Sequence, residues 1–435
     1  MTGDATGRAG PATRVNGGRG FLHAAPAGGR MRAALFGLAA PLAAGVALAA
    51  SPPSQPAAGP GGADYVVPAG EIEKRSFGEG NGRALAFWPR AAAEKPRPVI
   101  VFLHAPGAIS PAYYGAWLSH LARRGNVVIY PLYEAAVGAV PFDEMTGEAL
   151  KGLSAALAGI AADPSARADL SRLVFAGHSG GAVIAANLAA RSGRDGLPPA
   201  RLLFGVMPAR PGGEKIHAPP LEDLSGLPAE ALAVMFTGDR DQFAGDRGAR
   251  QILAAAAHLG QNGRLIARGP SDSHGQPAVS FTHYAAVAPD EAWDLAAMPG
   301  GAEQAPAPGP ETKTEKGARR AAPAPREEAR RQREEQRRRA AALWRVGHEE
   351  RMLLANFEGR SVGAASYAIW KTFDLALEAA LSGGDALTLR RDPRFYDIGQ
   401  WSDGWPLRRM GVETPRPPAS ATAGVAAPDA ATSAR

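Results

Sequence analysis

One stretch limits what this chain can fold into more than any other: residues 172–182, which read RLVFAGHSGGA. An apolar, β-branched run enters the pattern Gly-x-Ser-x-Gly, formed by Gly177, Ser179 and Gly181, and a helix-forming run follows at once. In a strand–turn–helix of this kind the serine has a strained backbone, and the glycines, which lack Cβ atoms, allow the strand and the helix to approach closely. We therefore expect Ser179 at the exposed end of a strand, with the N–H of Gly180 facing a reacting carbonyl.

Strand-like runs alternate with helical patterns on both sides of this turn. Besides the strand that enters it, strands are predicted at 83–89, 98–103, 126–130, 201–207, 232–237 and 264–268. Helices are predicted at 111–124, 144–162 and 249–259, and a further helix with a wide apolar face at 366–377. This alternation predicts an α/β fold, in which helices cover both faces of a mostly parallel central sheet.

Composition divides the chain into six segments. The prediction is an N-terminal extension and signal peptide at 1–50, a flexible Pro/Gly/Ala-rich linker at 51–70, the core at 71–300, a disordered and charged helical insertion at 301–360, the C-terminal part of the same domain at 361–411, and a disordered tail at 412–435.

The N-terminal segment has the features of an export signal. Arg30 and Arg32 give a positive start, residues 33–50 are largely apolar, and Ala47-Leu48-Ala49 fits a cleavage site. We expect translation to start at Met31 and the mature protein to be periplasmic or secreted. The alternative is an uncleaved segment that anchors the protein to a membrane.

Charge and cysteine content exclude several classes of function. The net charge is +6, but residues 1–49 hold five Arg and one Asp, so the remainder is only slightly basic. The overall charge therefore gives no case for nucleic-acid binding. The chain has no cysteine, which excludes disulfides, thiolate metal sites and a cysteine nucleophile.

The turn at Ser179, the segment Gly238-Asp239-Arg240-Asp241 after a predicted strand, and the C-terminal segment from Arg394 to Gly404, which contains Gly-x-Trp-Ser-Asp-Gly, together resemble the α/β-hydrolase superfamily. The resemblance is greatest to bacterial hydrolases of the chlorophyllase/dienelactone-hydrolase kind, and it covers roughly 72–300 and 364–411. It implies the α/β-hydrolase fold and a serine hydrolase that cleaves a carboxylic ester, or a related acyl bond, in a small molecule, and the N-terminal segment adds the expectation of export. No metal or organic cofactor is implied, and the oligomeric state stays open.

The resemblance also implies a catalytic triad in the order Ser179, Asp, His. Asp241 takes the fourth position of the family's Gly-x-x-Asp turn, and Asp239 and Asp246 are the alternatives. His274 follows the last predicted strand and is the preferred base, with His283 as its rival. The histidine takes the proton of the serine hydroxyl, and the aspartate orients the imidazole and stabilises its protonated form.

The chain departs from the family in the loop after its first long strand, Leu103-His104-Ala105-Pro106-Gly107. Relatives have His-Gly followed by a residue whose N–H helps to bind the oxyanion, but Pro106 has no N–H. Either Ala105 or Gly107 donates beside Gly180, or the loop is re-routed, or the oxyanion hole is half-built. His104 is expected to brace the loop. The alternative function is a catalytically weak or inactive binding or scaffold protein on the same fold, while an acyltransferase or cofactor-free haloperoxidase would use the same triad.

Overall fold

The computed structural model describes residues 49–136, 138–212, 218–300 and 362–415. Most of the predicted signal peptide, the predicted insertion at 301–360 and the tail beyond 415 lie outside these residues. Within them, nine strands form one sheet in the order β1-β2-β4-β3-β5-β6-β7-β8-β9. The strands are β1 (Ile72–Phe77), β2 (Ala84–Pro89), β3 (Arg97–Leu103), β4 (Val127–Pro131), β5 (Ala168–His178), β6 (Ala200–Val206), β7 (Leu232–Gly238), β8 (Arg264–Gly269) and β9 (Gly411–Glu413).

The centre of the sheet is parallel, from β4 through β3, β5, β6 and β7 to β8. The strands β1, β2 and β9 are antiparallel to their neighbours and occupy the two edges. The predicted α/β class with a mostly parallel sheet is therefore confirmed.

Helices cover both faces of this sheet. They are α1 (Gly115–Arg123), α2 (Met145–Ala162), α3 (Gly180–Arg191), α4 (Arg247–Ala255), α5 (Ala364–Leu381) and α6 (Ala386–Arg391). Strand β3 shows why the core has two halves: Ile100 and Phe102 point to the face covered by α1 and α5, and Val101 and Leu103 to the face covered by α2, α3 and α4. Apolar side chains on both faces require cover on both faces.

Three predicted segments differ from the structure. The segment 51–70, predicted as a flexible linker, lies against the domain, because the Gly61 N–H donates to Asp374 Oδ2 at 2.7 Å and Tyr65 Oη lies 3.1 Å from His120 Nδ1. The helix predicted at 111–124 begins as a 3₁₀ turn and becomes α-helical only at Gly115. The predicted tail from 412 overlaps β9, which pairs with β8 at the sheet edge.

Among the helices in the described ranges, none has the length and hydropathy needed to cross a bilayer.

Candidate active site

Ser179 stands at the turn between β5 and α3. Its backbone has φ 55° and ψ −124°, a conformation that residues other than glycine rarely adopt. A Cβ on Gly177 would collide with the carbonyl of Gly181, and one on Gly181 with the carbonyl of His104. Both glycines are therefore needed for the close packing of strand, helix and the loop after β3.

The loops that follow β7 and β8 bring an aspartate and a histidine to this serine. His283 Nε2 lies 3.0 Å from Ser179 Oγ, and His283 Nδ1 lies 3.1 Å from Asp241 Oδ2. All three side chains are buried. The carboxyl ends of parallel strands meet at one edge of the sheet, and this explains why groups more than 100 residues apart converge there.

Asp241 is held as an anion. Burial alone would raise its pKa, but the hydrogen bond and charge of His283, with the N–H groups of Ala244 and Phe243, bring the pKa below its usual value. Those two N–H groups donate to Asp241 Oδ1 at 2.9 and 3.0 Å and leave Oδ2 for the imidazole. An ionised Asp241 can thus fix the tautomer of His283 that carries a proton on Nδ1 and offers the Nε2 lone pair to Ser179.

The sequence preference for His274 is wrong in this geometry. After β8 the chain makes an excursion in which Asp272 pairs with Val279, and His274 lies within it. The His274 ring pairs with Asp403 at 2.7 Å and stacks on Trp405, which is 60% exposed. The chain then returns to the sheet edge and places His283, the alternative, at the serine.

The alternative acids have other partners. Asp239 accepts hydrogen bonds from the N–H and hydroxyl of Ser271. Asp246 pairs with Arg250 at 3.0 Å and with Arg268 at 2.8 Å. Of the three aspartates considered, the structure brings only Asp241 to a histidine beside Ser179.

The loop after β3 contains a tight turn around Pro106. The Ala108 N–H donates to the carbonyl of Ala105 at 2.9 Å, and Gly107 has φ 88°. A type II turn requires a positive φ at its third position, which glycine adopts readily, and proline is common at its second position. The unusual loop sequence thus encodes its own shape.

This turn commits both alternative oxyanion donors to other acceptors. The Gly107 N–H donates to the buried carboxylate of Glu134 at 2.6 Å, and the Ala105 N–H donates to Tyr114 Oη at 3.1 Å. The expectation that Ala105 or Gly107 replaces the missing N–H of Pro106 is therefore not met. Gly180, at the first position of α3, has no carbonyl of its own helix to bind and stays a candidate donor.

Sequence reasoning missed the buried groups that support the loops. Glu134 and Tyr114 hold the loop after β3, and His178, inside the Gly-x-Ser-x-Gly pattern, contacts the His283 loop. Charged residues are rarely fully buried unless paired, but nothing in the sequence marks Glu134 as buried. His104 is buried as expected for a brace, stacked on Tyr133 with its Nδ1 2.7 Å from the Ala105 carbonyl.

Phe243 stands out at the surface of this region. Its side chain is 44% exposed, and its ring lies 5.5 Å from that of His283 and 5.6 Å from that of Tyr284.

In the part of the chain that the structure describes, no group of three or more His, Asp or Glu side chains is arranged to hold a metal ion.

Two comparisons with known proteins found matches for this chain. Residues 74–220, about a third of the chain, match the chlorophyllase family model. Among solved structures, the chain is similar to an α/β-hydrolase enzyme from a Medee basin deep-sea metagenome library, with 14% identity and a TM-score of 0.36 over 47% of this chain and 84% of that one. No curated protein matches by sequence. The residues that match the family model include β2 to β6 and the turn at Ser179.

Proposed function

We propose that the chain is a serine hydrolase of the α/β-hydrolase superfamily, which cleaves a carboxylic ester, or a related acyl bond, through an acyl-Ser179 intermediate. One observation carries this proposal: the hydrogen-bonded series from Ser179 Oγ to His283 Nε2 at 3.0 Å and from His283 Nδ1 to Asp241 Oδ2 at 3.1 Å. A serine needs such a base to become nucleophilic at neutral pH.

The proposed reaction has two halves. Ser179 Oγ attacks the ester carbonyl as His283 Nε2 takes its proton, and the oxygen of the tetrahedral intermediate lies against the Gly180 N–H. The intermediate collapses, the C–O bond to the alcohol breaks, and His283 returns the proton to the leaving alcohol. Water then attacks the acyl-enzyme as His283 takes its proton. The bond between the acyl carbon and Ser179 Oγ breaks, and His283 returns the proton to Ser179 Oγ as the acid leaves.

The oxyanion hole limits the rate of this reaction. A single missing donor costs on the order of 3 kcal/mol in the transition state. With the N–H groups of Ala105 and Gly107 committed to Tyr114 and Glu134, we infer a slow enzyme on simple activated esters.

The surroundings of His283 favour an ester with an apolar group. Phe243 presents an exposed ring beside the imidazole, and an exposed aromatic face gains by covering apolar surface. We propose a small-molecule substrate whose apolar portion contacts Phe243.

A second candidate is a weak or inactive hydrolase fold that serves as a binding or scaffold protein. The observation in its favour is that the N–H groups of Ala105 and Gly107 donate to Tyr114 and Glu134 rather than to an oxyanion. The two candidates differ in whether the protein hydrolyses esters with turnover at Ser179.

The experiment compares hydrolysis of p-nitrophenyl acetate and butyrate by the wild type and by Ser179→Ala, with circular dichroism to verify folding. We expect hydrolysis by the wild type and a loss of several orders of magnitude in the variant. Equal rates in two folded proteins would exclude the serine hydrolase, and a folded wild type without turnover would favour the scaffold.

We also propose export, on the basis of the apolar segment that ends at Ala50. N-terminal sequencing of protein recovered from the periplasm or medium should begin at about residue 50. Recovery only from the cytoplasm, with the segment intact, would contradict export.

A further inference from the structure

A second set of buried polar groups lies beside the triad and takes no part in the proposed proton transfer. His178 directly precedes Ser179, and its Nε2 lies 2.9 Å from the backbone carbonyl oxygen of His283. Its Nδ1 lies 2.9 Å from Tyr114 Oη, which in turn accepts the Ala105 N–H at 3.1 Å. His178 and Tyr114 are both fully buried.

The direction of each hydrogen bond follows from the chemistry of the groups. A carbonyl oxygen only accepts, so His178 Nε2 carries the proton and donates to His283. Burial, together with the nearby charge of His283, lowers the pKa of His178 to about 3, so the ring is neutral and has no second proton. His178 Nδ1 therefore accepts from the Tyr114 hydroxyl, and the oxygen of that hydroxyl accepts from the Ala105 N–H.

The sheet order shows which parts of the chain are connected by the hydrogen bonds of His178 and Tyr114. Ala105 follows β3, His178 ends β5, and the His283 loop follows β8, which is separated from β5 by β6 and β7. The His283 loop must therefore reach back across two strands to meet Ser179. The bond from His178 to the His283 carbonyl anchors the loop at the residue whose ring must contact the serine.

We propose that Tyr114 and His178 are positioning residues of the active site, which hold the loop after β3 and the His283 loop in one arrangement around Ser179. This proposal rests on the proposed function for its effect on catalysis. Neither residue exchanges a proton with the substrate. Their effect is on geometry, where a displacement of about 1 Å can cost on the order of 100-fold in rate.

Removal of one group leaves its buried partners unsatisfied. In Tyr114→Phe the Ala105 N–H loses its acceptor and His178 Nδ1 loses its donor, so the proton on the imidazole is no longer fixed to Nε2. In His178→Leu the His283 carbonyl loses the N–H that His178 donates to it, and the Tyr114 hydroxyl loses His178 Nδ1 as its acceptor. His178→Gln retains an N–H donor and an oxygen acceptor and should recover much of the function.

The test measures ester hydrolysis by Tyr114→Phe, His178→Leu, the double variant and His178→Gln. Tyr396→Phe is the matched control, because it removes a hydroxyl that donates to the Arg390 carbonyl in the C-terminal segment. We expect each of the first two variants to lose about 10- to 100-fold in kcat with little change in KM, and the double variant to be scarcely worse than either, since both residues act through one series. Additive losses, an effect confined to KM, or His178→Gln as poor as His178→Leu would overturn the proposal.

A second experiment, which does not depend on enzyme activity, tests this proposal separately from the proposed function. In ¹⁵N-histidine NMR spectra, His178 of the wild type should carry its proton on Nε2 alone, and Tyr114→Phe should shift the ring signals of both His178 and His283, whereas Tyr396→Phe should not. If the wild type hydrolyses no ester but the His283 signals move, the positioning stands and the proposed function fails. If the His283 signals stay fixed in Tyr114→Phe, the positioning fails whatever the activity.

Discussion

At the scale of single residues, the decisive choice is between two histidines that both follow β8. His283 contacts Ser179 and Asp241, whereas His274 pairs with Asp403. We predict that His283→Ala lowers kcat for p-nitrophenyl esters by about 10⁴-fold or more, as loss of a triad base does elsewhere, and that His274→Ala changes it only slightly. Steady-state kinetics on both folded variants measures this. The reverse ranking would restore His274 as the base.

Residue types alone could place the serine and the acid near each other but not the base. Ser179 and Asp241 each stand at a fixed offset from a strand that the sequence reveals. Which histidine serves as the base depends on the number of residues between β8 and the point where the chain returns to the sheet edge. The segment in which Asp272 pairs with Val279 adds residues to this connection. A rule that takes the first histidine after the strand therefore selects a residue of the excursion.

Pro106 lies in the loop where the sequence departs from the pattern of the family that it resembles. The N–H at the second position of a turn takes no part in the turn's own hydrogen bond, so Pro106→Ala adds a donor without removing one. We predict a rise in kcat of up to roughly 100-fold with little change in KM, because the new bond strengthens in the transition state. Pro111→Ala, which removes a proline beyond the turn, is the control. An unchanged or lower kcat in folded Pro106→Ala would show that this position does not face the oxyanion.

At the scale of elements, α5 covers one of the two faces of the sheet. Phe373 is fully buried, with its ring 5.2 Å from that of Phe204 and 6.1 Å from that of Trp117. We predict that Phe373→Ala lowers the free energy of unfolding by about 3–5 kcal/mol, whereas Glu378→Ala, on the exposed side of the helix, changes it by less than about 0.5 kcal/mol. Urea denaturation measures both. Equal tolerance of the two changes would mean that α5 does not seal the core.

The strands differ in how clearly the sequence predicts them. Continuous apolar runs mark β3 and β7, whose side chains are buried on both faces. Strand β1 reads Ile-Glu-Lys-Arg-Ser-Phe and has only Ile72 buried, and β9 is three residues long with none buried. Both are edge strands, which depend on a neighbour for their hydrogen bonds more than on an apolar pattern, so local sequence does not reveal them.

At the scale of the whole molecule, two buried imidazoles make stability depend on pH. Burial lowers the pKa of His178 to about 3 and of His104 to about 4, while both titrate near pH 6.5 in the unfolded chain. Below about pH 6.5 the unfolded state binds more protons than the folded state, so the free energy of unfolding falls as the pH falls, by about 1.4 kcal/mol per unit for each histidine, until the pH approaches the folded pKa values.

Urea denaturation at about pH 7 and about pH 5 measures this slope. His104→Gln removes one of the two groups, so its stability should fall less between the two pH values than that of the wild type. The same fall in both proteins would mean that His104 takes up a proton in the folded state.

We propose that Ser179, activated by His283, is the nucleophile. The most direct measurement is the reaction of the full chain with a fluorophosphonate, read by intact mass and peptide mapping, for the wild type, His283→Ala, His274→Ala and Ser179→Ala. We predict one adduct per chain on Ser179 in the wild type and in His274→Ala, a much slower reaction in His283→Ala, and none in Ser179→Ala. An adduct on another residue, or equal rates in His283→Ala and the wild type, would contradict the account.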